Sequence, residues 1–212
     1  MAKGPVLIVG AGHAGFQLAT SLRQGGFGES IRLLNDEAHL PYQRPPLSKA
    51  YLKGAGGADS LMFRPDKFYR DQNIELIADR AVAIDRDKHR VVLASGASLD
   101  YGHLVLATGA RNRLLDIPNA NLEAVRYLRI LDESEALRVR IATARHVVVI
   151  GAGFIGLEFA ATARLKGLEV DVLELGTRPC RCRRKKYELH SRQPCRFACQ
   201  CCQQHLPSYR CA

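Results

Sequence analysis

The 212-residue chain is 47% hydrophobic and 25% charged, an ordinary balance for a globular protein. It lacks the roughly 20-residue apolar run of a membrane span, and MAKGPVLIVG lacks the apolar core and cleavage pattern of a secretory leader, so a cytoplasmic protein with no membrane partner is expected. The formal charge of +10 does not indicate nucleic acid: residues 180–212 hold eight Lys/Arg, one acid and all seven cysteines, leaving a net of +3 on the first 179 residues.

In chain order, the β-branched run Val6–Val9 leads into GAGHAG and a helical stretch. A strand, G-x-G-x-x-G and a helix form the dinucleotide-binding fingerprint. Gly10 permits the tight turn, Gly12 lets the backbone approach a pyrophosphate, and Gly15 lets helix and strand pack closely. The helix N-terminus then presents N–H groups to the phosphates. Ile31–Leu34 is the second strand of this β-α-β unit, and Asp36 and Glu37 follow near the spacing of a ribose-binding carboxylate.

Positions 40–53 read LPYQRPPLSKAYLK. Pro45-Pro46 cannot continue a regular element, and Ser48 is placed to cap or brace the short helix after it. Arg44 and Lys49 flank this corner, either as fixed cations or as solvated charges on a surface loop. From Lys67 the pattern predicts a short helix, then strands at 74–77, 80–85, 89–94 and 103–107 with a turn at Ser95–Gly96–Ala97. Alternation in RAVAID and HRVVLA predicts an antiparallel meander. The last strand runs into Thr108-Gly109, where small residues allow close backbone approach. A helix is expected over 132–144, with acids in its first turn as the helix dipole favours.

The fingerprint then recurs. Val147–Ile150 leads into GAGFIG, with Gly151, Gly153 and Gly156 at the same offsets, and the strand Val170–Leu173 ends in Glu174. Asn35 is the residue that aligns with Glu174 in the first copy. Two complete copies imply two dinucleotides. FAD with a nicotinamide is the economical pair, because a flavin accepts a hydride and passes electrons on singly. The fold class expected is α/β, with two Rossmann-like dinucleotide-binding units.

RPPLSK after the first β-α-β unit, LVLATGA before the second, and GAGFIGLE at the second turn resemble the FAD-dependent ferredoxin reductases of the pyridine nucleotide-disulfide oxidoreductase superfamily. The resemblance runs over residues 5–179. It implies an FAD domain carrying an inserted NAD domain, here 1–115 and a truncated 116–179. It also implies roles for single residues. Gly12 and Ala14 would line the FAD pyrophosphate and Asp36 the adenosine ribose, with Val82 giving a backbone contact at the adenine end. Arg44, Lys49 and Arg129 would lie along the flavin. Phe154 would shield the flavin face until nicotinamide displaces it, and Glu158 would pair with Lys49. Hydride passes directly from nicotinamide to flavin, so the protein supplies stacking geometry and a nearby cation rather than an acid or nucleophile. No cysteine occurs in residues 1–179, which excludes the dithiol chemistry of the disulfide reductases.

Past Pro179 the family pattern, with its Gly-Asp return to FAD and its interface domain, gives way to CRCRRKKYELHSRQPCRFACQCCQQHLPSYRCA. A metal module, a basic partner-binding tail and the product of a reading-frame shift are the three readings. The irregular Cys spacing argues against zinc, so no metal site is expected and 180–212 reads as an aberrant tail without a fold. The activity implied is electron transfer from NADH through FAD to a [2Fe–2S] ferredoxin of an oxygenase system, with this chain an incomplete and inactive form. The alternatives are an NADH oxidase or apoptosis-inducing-factor-like flavoprotein with another acceptor, and a non-catalytic nucleotide-binding fragment.

Overall fold

The computed structural model describes residues 4–176. The expectations for 180–212 lie outside the described residues. In chain order the elements are β1 (Val6–Val9), α1 (His13–Gln24), β2 (Ile31–Asn35), a 3-10 turn (Pro45–Ser48) and α2 (Ala50–Lys53). A second 3-10 turn (Ala58–Leu61), α3 (Asp66–Asp71) and β3 (Ile74–Ala78) follow, then β4 (Ala81–Asp85), β5 (Arg90–Leu93), β6 (Ser98–Asp100) and β7 (His103–Leu106). After them come α4 (Leu131–Thr143), β8 (His146–Ile150), α5 (Phe154–Leu165) and β9 (Glu169–Leu173). The chain divides into two compact units. Among the described residues, one holds those up to Arg44 with Ala58–Arg113, the other Pro45–Gly57 with those from Leu114 to Gly176.

In the first unit four parallel strands lie in the order β3-β2-β1-β7. Val9 is in register with Leu34 of β2 on one side and Leu106 of β7 on the other. The chain leaves β1 for β2 in one direction and later returns to its opposite edge as β7. The turn after β1 therefore sits at a switch point at the carboxyl ends of the strands, where open α/β sheets bind ligands. Both faces of the sheet are covered, which explains why VLIV is apolar without alternation. Val6, Ile8, Ile31, Leu33 and Ile74 pack with Ala19 of α1 and Tyr69 of α3. Leu7, Val9 and Leu34 pack with Val91 and Leu93 of the antiparallel sheet β4-β5-β6.

The meander differs from the sequence expectation at both ends. Strand 80–85 pairs antiparallel with 89–94 as expected, but their third strand is β6, Ser98–Asp100, which the pattern did not reveal. The flanking strands at 74–77 and 103–107 join the parallel sheet instead, against β2 and β1. Local alternation marks which face a strand buries and leaves its partner open.

Arg23 closes the foot of the first unit. Its guanidinium donates to the carbonyls of Phe27 (2.5 Å), Glu29 (2.8 Å), Gln72 (2.8 Å) and Asn73 (2.6 Å), tying the end of α1 to the turn before β3. The Tyr69 hydroxyl is buried with no hydrogen-bond partner among the described residues, and burial pushes its phenol up to about 12.

In the second unit β8 and β9 are parallel, from His146↔Glu169 to Ile150↔Leu173, with α5 as their crossover. Val149, Phe159, Ala160, Ala163 and Leu168 form its core together with Leu52 of α2 and Ile141 of α4. Helix α4 carries Asp132 and Glu133 in its first turn, and the Glu133 carboxylate accepts the N–H groups of Ile130 (3.1 Å) and Arg129 (2.6 Å).

Pro45-Pro46 continues no preceding element and instead opens a 3-10 turn, whose first residues need no N–H donor. One expectation for this corner is corrected. Ser48 does not cap α2, whose N-cap is Lys49 without a side-chain cap bond. Its hydroxyl points to another helix.

Candidate functional site

The first glycine turn is built by steric exclusion. Gly10 has φ 107°, a region that favours glycine, and its N–H donates to Leu34 O at 2.9 Å. A Cβ on Gly10 would lie 2.3 Å from Ala107 O, and one on Gly15 would lie 1.9 Å from Gly10 O. Side chains are excluded at both positions by backbone, which holds α1 against its strand. Gly12 is different: a Cβ there would meet nothing within 4 Å. It is the N-cap of α1, with no side-chain cap bond, and Ala14 stands exposed in the first helical turn. The first N–H groups of a helix have no intrahelical acceptor. Ala107–Gly109 borders the turn: Ala107 N–H donates to Val9 O at 2.8 Å, and Thr108 and Gly109 (φ 68°) are exposed.

Beyond β2, Asn35 spends its side-chain amide on the carbonyls of Glu37 (3.1 Å) and His39 (2.7 Å), shaping the loop that presents Asp36 to solvent. Glu37 faces inward, accepting the Tyr42 hydroxyl and pairing with Arg44. The Arg44 guanidinium also lies 5.3 Å from the Tyr42 ring centre. Tyr42 was not singled out in the sequence, where nothing beyond its nearness to Arg44 marks it. Val82 is 55% exposed and sits at an irregularity: Ala81 pairs with Leu93 and Ala83 with Val92, so Val82 has no partner in the register. Such a bulge leaves backbone groups available to a ligand.

The second turn repeats the steric logic. Gly151 has φ 102° and donates to Leu173 O at 2.8 Å. A Cβ on Gly156 would lie 2.1 Å from Gly151 O, while one on Gly153 would meet nothing within 4 Å. Glu174 reaches this turn itself. Its Oε2 accepts the Ala152 N–H at 2.7 Å and its Oε1 the Gly176 N–H at 2.8 Å. Phe154, the first residue of α5, is 59% exposed.

One turn further along α5, Glu158 meets the proline corner. Lys49 Nζ lies 3.3 Å from Glu158 Oε1, and Ser48 Oγ donates to Glu158 Oε2 at 2.6 Å. Ser134, fully buried in α4, donates to Leu47 O at 2.9 Å and fixes the corner from behind. Arg129 enters through its backbone, whose N–H donates to Glu133. Ser48 and Ser134 lie 110 and 87 residues from their partners, a separation with no sequence signature.

Each turn has the form that accepts a dinucleotide pyrophosphate, with an open backbone position at the second glycine and a helix N-terminus behind it. Residues 4–192 match the family model described as pyridine nucleotide-disulphide oxidoreductase, and the chain belongs to that family. Among curated relatives, it is 52% identical over 175 residues to rhodocoxin reductase of Rhodococcus erythropolis, covering 82% of this chain and 41% of that protein. It is 43% identical to putidaredoxin reductase of Pseudomonas putida over 181 residues, covering 84% and 43%. Among solved structures, a ferredoxin reductase from Rhodopseudomonas palustris superposes with a TM-score of 0.80 at 70% identity, over 82% of this chain and 43% of that one. The chain thus spans about two fifths of the length of the curated relatives it matches. Among the described residues no helix is long and apolar enough to cross a membrane.

Proposed function

We propose that the chain carries the dinucleotide-binding part of a cytoplasmic NADH-dependent, FAD-containing ferredoxin reductase, with residues 1–115 serving FAD and 116–179 serving NADH. When bound, the flavin supplies the acceptor for a hydride from NADH and the donor of single electrons to a [2Fe–2S] ferredoxin. The observation that carries this reading is the pair of glycine turns, each closed to a side chain at its third glycine and open at its second.

The chain's own residues bind and orient. Gly12 and Ala14 offer backbone at the N-terminus of α1 to the FAD pyrophosphate, and Asp36 accepts from the adenosine ribose. The bulge at Val82 offers its backbone to the adenine end. Thr108 and Gly109 give close backbone approach beside the first turn. Glu37 holds Arg44 rather than offering its own carboxylate, and Arg44 and Arg129 carry positive charge along the flavin. Gly151, Gly153 and Gly156 receive the NADH pyrophosphate, and Glu174 accepts from the ribose hydroxyls. Phe154, exposed at the head of α5, covers the flavin face and gives way to nicotinamide. Lys49, held by Glu158, supplies the cation that favours reduced flavin. The roles of Lys49, Glu158, Phe154 and Arg129 are supported by the resemblance of RPPLSK, of GAGFIGLE and of YLRILDE around Arg129 to the ferredoxin reductases.

Titration of the 212-residue chain with FAD and with NADH tests the assignment. A Cβ at Gly12 or Gly153 meets nothing within 4 Å, so Gly12→Val and Gly153→Val should keep the fold, which circular dichroism checks, and obstruct only a ligand. Gly12→Val should abolish FAD binding and spare NADH, and Gly153→Val the reverse. Saturable binding that neither variant affects would overturn the reading.

A further inference from the structure

We propose that Ser48 is the positioning residue of the Lys49–Glu158 pair: its hydroxyl holds one carboxylate oxygen so that the other faces the ammonium. The functional meaning of this rests on the reading of that pair as the charge beside the flavin. Its physical basis lies within the second unit alone.

Lys49 is 55% exposed and Glu158 25% exposed in their side chains. An ion pair of that exposure, left to itself, gains little and samples many geometries, because solvent screens it and both side chains are long. Ser48 changes this. It is only 6% exposed, and its Oγ stands 2.6 Å from Glu158 Oε2, within the short range of charge-assisted O–H···O⁻ bonds. With Oε2 held, Oε1 points toward Lys49 Nζ at 3.3 Å.

The anchor is itself immobilised. The Pro45–Ser48 turn is tied through Leu47 O to the buried hydroxyl of Ser134 at 2.9 Å, and its prolines restrict its backbone. On the other side, Glu158 lies within α5 between the buried Leu157 and Phe159. Because Ser48 and Lys49 are adjacent, one backbone segment addresses both oxygens of one carboxylate. Displacing the segment would move both partners together. Ser48 thereby turns a loose surface pair into one with a defined direction, while itself touching no reacting atom.

Water exchange of the Lys49 ammonium, read by ¹H–¹⁵N NMR on the full chain, tests this. Ser48→Ala should speed that exchange about fivefold, the scale of one net hydrogen bond. Ser48→Thr, which restores a hydroxyl, should return it toward the wild-type rate. Glu158→Gln should speed exchange in the wild type, with Ser48→Ala adding nothing in that background. If circular dichroism shows Ser48→Ala unfolded, Ser48→Cys replaces it, and its weak S–H donor should give a change in the same direction. Unchanged exchange in the folded Ala or Cys variant, or failure of Thr to restore it, would overturn the proposal. FAD titration of the same samples separates the two readings. Wild-type chain that ignores FAD but shows the expected ammonium behaviour would sink the flavin assignment and leave Ser48 as the pair's anchor.

Discussion

The two glycine turns share a backbone and differ in what surrounds them. Gly10 and Gly151 adopt nearly the same positive φ, 107° and 102°, and the third glycine of each turn is pressed against the carbonyl of the first. Around the first turn stands β7, whose continuation puts Ala107 O against Gly10. In the second unit a Cβ on Gly151 would meet nothing within 4 Å. The acids differ as well. Glu174 bonds the N–H of its own turn, whereas Glu37 turns away to Arg44 and Tyr42. The motif therefore fixes a turn and a helix–strand contact. Its neighbours decide how tolerant that turn is and which polar groups edge it.

The largest effects should come where the turns are alike. Gly15→Ala and Gly156→Ala each force a Cβ to about 2 Å of a backbone oxygen, at 1.9 and 2.1 Å. Each should destabilise its own unit by about 3 kcal/mol in urea unfolding, since neither strand nor helix can yield cheaply. A cost below 1 kcal/mol at either would show that helix and strand separate freely, and the shared steric logic would fail.

The first glycines should separate the turns. Gly151→Ala carries only the left-handed backbone strain of roughly 1–2 kcal/mol. Gly10→Ala carries the same strain plus a Cβ 2.3 Å from Ala107 O, and should cost about 2 kcal/mol more. Equal losses for the two variants would mean that β7 is not the difference.

Glu174 sharpens the comparison on the ligand side. A carboxylate at the second turn favours ribose hydroxyls and repels a 2′-phosphate. The wild-type chain should prefer NADH to NADPH, and Glu174→Arg should shift the ratio of dissociation constants toward NADPH about tenfold or more, roughly 1.4 kcal/mol per decade. A wild-type site already favouring NADPH would contradict the placement of Glu174.

The smallest effect is confined to the first unit and to alkaline pH. The Tyr69 phenol titrates near 10 in an unfolded chain and at about 12 when buried. A raised folded value means the native state holds the proton. The stability this confers is complete below pH 10 and is lost as pH rises toward 12. Urea midpoints across pH 9–12 should fall in the wild type and fall less in Tyr69→Phe. At neutral pH that variant should be as stable as the wild type or about 1 kcal/mol more so, since it removes a buried hydroxyl without a partner among the described residues. Parallel slopes in the two proteins would show that the phenol ionises without cost in the fold.

The parts of this protein that the sequence determined by itself are those set by contacts a few residues apart. The spacing of Gly10, Gly12 and Gly15, and its repeat at Gly151, Gly153 and Gly156, located both turns, because a side chain at the third position collides with a carbonyl five residues earlier. β-Branched runs placed β1 and β8, and apolar runs β2 and β9, to within a residue, since such side chains favour a pleated, buried backbone. Tertiary structure alone decided the pairings. Strands 74–77 and 80–85 read as neighbours in one meander, yet Asp79 and Arg80 separate two sheets, with β3 beside β2 and β4 beside β5. Ser48, legible as a helix cap, became the partner of Glu158, 110 residues away. A period of two or a cap signal records what a residue does to its own backbone. Which distant surface it meets depends on burying both faces of a sheet at once, and no short window of sequence carries that condition.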